Sequence, residues 1–187
     1  MLILLRHQII RLGLAAVFMA GGLYLAYLLL MAPHRAALPA DGRLTAGAPL
    51  PDRQLVIPRL GVQVNIVADQ LAQLDHGLVV QRTGAGGNPA KGGNFVLVGH
   101  RYVFSWVPAR VSLVSVFYDL DKLKTGDAIT VYWQHKRYHY TVSRTYQVKP
   151  GQLSVEAPTT GPKLTLYTCT LQGQADGRIV VEARTSS

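Results

Sequence analysis

Cys169 is the only cysteine in the chain, and it ends the alternating run Lys163-Leu164-Thr165-Leu166-Tyr167-Thr168-Cys169. A lone thiol forms no internal disulfide, so it serves either as buried packing or as a nucleophile. His100 is the second residue of interest. The apolar run Asn94-Phe95-Val96-Leu97-Val98 stops abruptly at Gly99-His100-Arg101, which sets an imidazole at the tip of a strand, where a base for a thiol could stand. The other five histidines have plainer settings: His7 beside an apolar segment, His34 in a linker, His76 in a polar turn, and His135 and His139 around a hairpin. Arg178 is the third residue and opens Arg178-Ile179-Val180-Val181 after a polar, Gly-rich loop, a position that suits a surface arginine as well as an anion-stabilising one. A cysteine attacks as its thiolate, and a free thiol has a pKa of about 8.5, so a neighbouring imidazolium or guanidinium raises the reactive fraction.

That chemistry requires strands ending near residues 98, 168 and 178 to lie side by side. Short β-branched or aromatic runs broken by Gly, Pro, Asn and Asp occur at 54–57, 63–67, 77–80, 94–98, 128–133, 138–148, 163–169 and 178–183. This pattern describes a mainly β domain, a closed barrel or a sandwich. Helical signal is confined to 68–74 and to one or two turns within 114–123, over a barrel mouth. Residues 132–138 form a hairpin with a polar turn, and residues 84–94 form a Gly-rich loop without the Gly-Lys-Ser/Thr ending of a phosphate cradle. The aromatic series Tyr132, Trp133, Tyr138, Tyr140 and Tyr146 fits cross-strand packing better than ligand stacking.

Three segments resemble the sortases, cysteine transpeptidases of mainly Gram-positive bacterial surfaces. Thr165-Leu166-Tyr167-Thr168-Cys169 is similar to the TLxTC signature of that family, Gly99-His100-Arg101 to its catalytic-histidine segment, and Arg178 before Ile179-Val180-Val181 to its arginine-bearing strand. Ile57-Pro58-Arg59-Leu60-Gly61-Val62 resembles the opening of the family's barrel, so the likeness runs over residues 54–184. It implies an eight-stranded closed β-barrel with one or two short helices, behind one N-terminal transmembrane helix. It also implies that Cys169, His100 and Arg178 are catalytic, with Thr168 supporting the oxyanion or the peptide. The implied reaction cleaves a C-terminal signal resembling Leu-Pro-any-Thr-Gly through a thioacyl enzyme. The acyl group then passes to an amine of a cell-wall precursor or of another protein such as a pilin. The single compact domain and short tether resemble classes D, E or F. Some members carry a proline two residues after the cysteine; here Thr170-Leu171-Gln172 follows instead, which bears on substrate preference. Arg101 is a rival guanidinium beside His100, but strand neighbours face opposite ways.

The first fifth of the chain has a different composition. Residues 12–31 carry no charge, and at about 1.5 Å per residue they span a hydrocarbon core of ~30 Å, longer than the usual core of a cleavable signal. The expected order is a cytoplasmic N-terminus at 1–11, a membrane anchor at 12–31, a Pro/Gly/Ala-rich linker at 32–53 and the catalytic domain at 54–187, outside the cell. The charges flanking the anchor, Arg6 and Arg11 against His34, Arg35 and Arg43, are nearly balanced, so that orientation follows from the resemblance. A net charge of +9 suits an anionic envelope, and no nucleic-acid motif accompanies it. The ten acidic residues are scattered and the histidines dispersed, so no metal and no other cofactor is expected. Two competing readings stand beside the first. An L,D-transpeptidase would place its histidine and cysteine together in one short segment, and a membrane-tethered β-barrel that binds envelope proteins or polymers would need no reactive thiol.

Overall fold

The computed structural model describes residues 2–30 and 50–186. Helix α1 (Leu2–Leu30) contains a span from Arg6 to Tyr27 that is long and apolar enough to cross a membrane. It begins earlier than the uncharged segment because no Gly or Pro interrupts the chain before Gly13, so Arg6, His7 and Arg11 are carried into it. Of the expected linker at 32–53, only residues 50–53 are among those described.

Eight strands follow: β1 (Gln54–Ile57), β2 (Val62–Ala68), β3 (Val79–Gln81), β4 (Asn94–Val98), β5 (Ala128–Trp133), β6 (Lys136–Val148), β7 (Lys163–Thr170) and β8 (Gly173–Thr185). They close into a barrel in the order β1-β2-β3-β4-β7-β8-β6-β5. Pairing is antiparallel except for β2 with β3 and β4 with β7. The period-2 patterns explain the inside and outside of the wall. In β2, Val62, Val64 and Ile66 are buried while Gln63 and Asn65 are exposed. Leu164 and Leu166 of β7, Val181 and Ala183 of β8, and Phe95 and Leu97 of β4 fill the same core.

The segment after β4 closes one end. Helix α2 (Pro108–Val114) starts on a proline whose missing N–H removes no helical bond. Val116, Phe117, Leu120 and Leu123 then enter the barrel core, with a 3₁₀ turn at Leu120–Lys122. The helical turns therefore lie partly upstream of 114–123, while that stretch supplies the apolar plug. The turn expected at 68–74 is a 3₁₀ helix over Leu71–His76. The β5–β6 hairpin turns on Gln134 and His135, both with positive φ (51° and 57°), the geometry that matches strand twist in a two-residue loop. The aromatic series packs as expected. Tyr132, Trp133 and Tyr140 are buried, Trp133 meets Phe95 edge-on at 5.3 Å, and burial pushes the Tyr140 hydroxyl up to about 12.

On the outer face, Glu182 of β8 is 8% exposed and accepts from Arg144 Nε (2.8 Å), Tyr146 Oη (2.8 Å) and Lys163 Nζ (3.5 Å). Burial alone would raise its carboxyl, but the bonds from Arg144 and Tyr146 and the charge of Lys163 more than offset that and hold it below the ordinary carboxylate value. A depressed carboxyl stabilises the fold above its unfolded pKa, and the contribution is lost as pH falls through the folded value. Glu182→Gln is therefore expected to lower stability by about 1–3 kcal/mol at pH 7 in denaturant unfolding. The gap between variant and wild type should shrink below about pH 4.

Candidate active site

Parallel pairing of β4 with β7 brings together residues far apart in sequence. Asn94 to Val98 lie level with Lys163 to Tyr167, and Gly99 N–H extends the ladder by donating to Tyr167 O at 3.3 Å. His100 thus follows Gly99 at the height of Thr168 and Cys169. On the other side of β7, antiparallel pairing sets Cys169 directly across from Arg178, so the two side chains share a face with Cβ atoms about 5 Å apart. Alternation decides which face. Leu164, Leu166 and Thr168 point into the barrel, whereas Tyr167 and Cys169 lie half-buried on its outer surface.

His100 is fixed from several directions. Its carbonyl accepts from Phe117 N–H at 3.0 Å, and its Nε2 pairs with Asp75 Oδ1 at 3.0 Å. Thr168 Oγ1 donates to Gly99 O at 2.8 Å, and the threonine is fully buried. The hydroxyl therefore points away from the thiol's face. Thr168 thereby ties the histidine strand to the cysteine strand. Gly99 is required by close approach: an added Cβ would lie 2.6 Å from the Phe117 ring and 2.8 Å from Val116 Cγ2. Gly99→Ala is expected to cost about 1–3 kcal/mol in thermal unfolding through overpacking. Its activity should fall further than the stability loss explains, because His100 moves with it.

Arg178 follows an irregularity in β8. Cys169 pairs with Arg178 but Thr170 pairs with Gly173, which leaves residues 174–177 looped out. The guanidinium of Arg178 folds onto that loop, its Nη1 donating to Gln174 O (2.8 Å) and Gly177 O (2.9 Å). Arg101 takes the opposite side of the strand from His100. It is buried and paired with Asp121 at 3.0 Å.

Residues 55–186 match the sequence profile of the Sortase domain. The chain belongs to the sortase family. It is an enzyme of the cysteine-transpeptidase kind, and its closed eight-stranded barrel is the sortase fold. Sortase E1 from Streptomyces coelicolor, solved with a tripeptide in its active site, is 28% identical, with 72% of this chain and 86% of that one covered at a TM-score of 0.60. Sortase C-1 from Actinomyces oris is 25% identical over 76% of each chain, with a TM-score of 0.60. Sortase C1 from Streptococcus agalactiae is 24% identical over 80% of this chain and 78% of that one, with a TM-score of 0.62. No protein of curated function matches the sequence.

In this sortase the connection from β6 to β7 walls the outer face beside Cys169. Asn94, fully buried, donates through Nδ2 to Val155 O (3.0 Å) and Ala157 O (2.9 Å), while its Oδ1 accepts from Thr165 Oγ1 at 2.7 Å. Glu156 accepts from the Tyr167 hydroxyl and pairs with Arg82 at 3.4 Å. Burial, then the Glu156 bond and charge, push the Tyr167 hydroxyl well above its ordinary value, so it stays protonated as a donor. Asp75, Asn94 and Glu156 were not singled out by sequence. Asp75 sits in a polar turn 25 residues before its histidine, and nothing in the local pattern joins the two. Among the described residues, no group of three or more His, Cys, Asp or Glu is gathered to hold a metal ion.

Proposed function

We propose that this sortase is a membrane-anchored transpeptidase that cleaves a C-terminal sorting signal resembling Leu-Pro-any-Thr-Gly and joins the protein to an amine. Cys169 as thiolate attacks the carbonyl carbon of the scissile bond, and its C–S bond forms as the carbonyl oxygen takes the negative charge. Arg178 donates to that oxyanion. His100 gives its proton to the departing amine, so the C–N bond breaks and a thioacyl enzyme remains. An incoming neutral amine then attacks the thioester. His100 accepts the amine's proton, a C–N bond forms, the C–S bond breaks and the thiolate is restored. Asp75 orients the imidazole through Nε2, and Thr168 holds the two strands in register.

The observation that carries this reading is the Cα pairing of Cys169 with Arg178 on the strand next to β4, which leads into His100. In the proposed topology α1 crosses the membrane with its N-terminus inside, and residues 32–53 tether the barrel outside, where exported proteins and wall precursors meet it. The acceptor is an amine of a wall precursor or of a second protein. Incubating the full-length protein in detergent micelles with Leu-Pro-any-Thr-Gly and Leu-Ala-any-Thr-Gly peptides plus an amine tests the reading. A Thr-to-amine ligation product by mass spectrometry supports it.

A further inference from the structure

The exposed loop that follows His100 takes no part in the chemistry above, and its surface is unusual. Among the described residues outside α1, six of the eight exposed large apolar side chains lie between residues 102 and 118: Tyr102, Phe104, Trp106, Val107, Leu113 and Tyr118. Single exposed apolar residues are ordinary, whereas a cluster marks an interaction surface. The rings are gathered in pairs, Phe104 edge-on to Trp106 at 5.2 Å and Tyr102 beside Tyr118 at 6.1 Å. Trp106 is 75% exposed, while Trp133, the other tryptophan of the chain, is buried. Residues 102–118 include no acidic side chain and one cation, the exposed Arg110.

Two observations indicate what covers this surface. The first is a contact with the anchor. Tyr24 Oη donates to Trp106 O at 3.5 Å, and Tyr24 lies within one turn of Tyr27, where the apolar span from Arg6 ends. Trp106 therefore sits at the level where the span leaves the hydrocarbon. Tyr24 and Tyr27 stack there at 6.4 Å, and Tyr and Trp are the side chains that membrane-water interfaces favour. The second observation is charge. The carboxylates bordering the segment already have partners, Asp119 with Lys122, Asp121 with Arg101 and Asp75 with His100. A lone exposed cation among aromatic rings suits anionic headgroups. The chain from Leu30 to Leu50 reaches up to roughly 65 Å, so the connection alone leaves the orientation of the barrel open and a docking surface has something to decide.

We propose that the 102–118 surface docks the barrel onto the lipid bilayer that holds α1. Phe104, Trp106, Val107 and Leu113 enter the boundary between headgroups and acyl chains, a depth of about 5–10 Å, and Arg110 meets lipid phosphates. Tyr102 lies two residues after His100, so docking holds the active site at the membrane surface instead of leaving it free at the end of a tether. The proposal rests on the membrane-anchored reading of α1 and does not depend on the transpeptidase chemistry.

Trp106 reports its own position, because the other tryptophan is enclosed in the barrel core. Full-length protein is placed singly in nanodiscs of phosphatidylcholine and phosphatidylglycerol, brominated either near the headgroup or near the methyl end of the acyl chain. Subtracting the spectrum of Trp106→Phe isolates the Trp106 emission. It is expected to lose most of its intensity to the shallow bromines and less to the deep ones, and to be shielded several-fold from aqueous acrylamide. The double variant Phe104→Ser, Leu113→Ser should reverse both effects while the Trp133 emission stays unchanged, since both side chains are exposed; a Trp106 signal unmoved by these changes overturns the surface. Insertion of α1 is read separately as resistance of vesicle-bound protein to alkaline carbonate. Protein that resists carbonate while Trp106 is open to acrylamide and untouched by bromines overturns the docking and leaves the anchor. Shielding from acrylamide without bromine quenching places protein over the patch and also overturns the docking. Extraction by carbonate with bromine quenching intact overturns the anchored reading and leaves the lipid-binding surface standing.

Discussion

Cys169→Ala is expected to lower sorting-peptide cleavage by about 10⁴-fold or more, because the thioacyl intermediate has no other atom to form on. The fold should tolerate the change. Cys169 stands half-buried on the outer face of β7, outside the apolar core, so its truncation should move stability by less than about 1 kcal/mol. Activity and stability thus separate, and the two are checked together by peptide turnover and thermal unfolding on one preparation. A structural thiol would give the reverse pattern, with stability falling and any activity persisting. Cys169→Ser should be nearly as inactive as the alanine variant, since a hydroxyl yields far less anion at neutral pH than a thiol.

His100→Ala is the second large effect, a loss of about 10²–10⁴-fold in kcat/KM, the usual worth of a positioned proton carrier. Two readouts distinguish that role from a packing role. Free imidazole should restore part of the lost rate by entering the space left by the ring, and leaving groups that need no proton should lose much less. Asp75→Asn keeps the ring but weakens the contact at Nε2. The Asp75 side chain is 73% exposed, so water screens the pair and the expected loss is only a few-fold. A loss at Asp75 as large as that at His100 would mean the carboxylate takes part in the chemistry directly.

Much of the barrel was legible because its strands obey the period-2 rule, with β1, β4 and β5 bounded as their apolar runs suggest and β7 and β8 extending past theirs. The boundaries shifted where turn geometry intervened. β8 reaches back to Gly173 because a two-residue turn after Thr170 restarts pairing before the chain loops out and pairs again at Arg178, and no periodicity announces such an interruption. The approach of Cys169, His100 and Arg178 was an expectation conditional on strand adjacency. Adjacency of β4 and β7 is a long-range property, fixed by the closure of the barrel. The alternation that places Cys169 outside turns its neighbour Thr168 inward, and the hydroxyl bonds Gly99 O, a partner that only the pairing of β4 with β7 supplies. Asp75 and Asn94 escaped notice because each serves a partner far along the chain, His100 for one and the loop at Val155 and Ala157 for the other. By contrast, the separation of Arg101 from His100 follows from strand alternation alone, and the buried pair with Asp121 agrees with it.

The measurement that bears most directly on the central claim is intact-mass analysis of full-length protein mixed with sorting-signal peptides in the absence of added amine. The account predicts a covalent adduct with the mass of the peptide's acyl portion, mapped to Cys169 by digestion and released by an amine as a ligated product. It also predicts that iodoacetamide alkylates Cys169 in the folded protein and blocks adduct formation. A protein that forms no adduct with any peptide tried, and whose Cys169 resists alkylation until the fold is denatured, would contradict the account. It would leave a tethered barrel that binds without turnover.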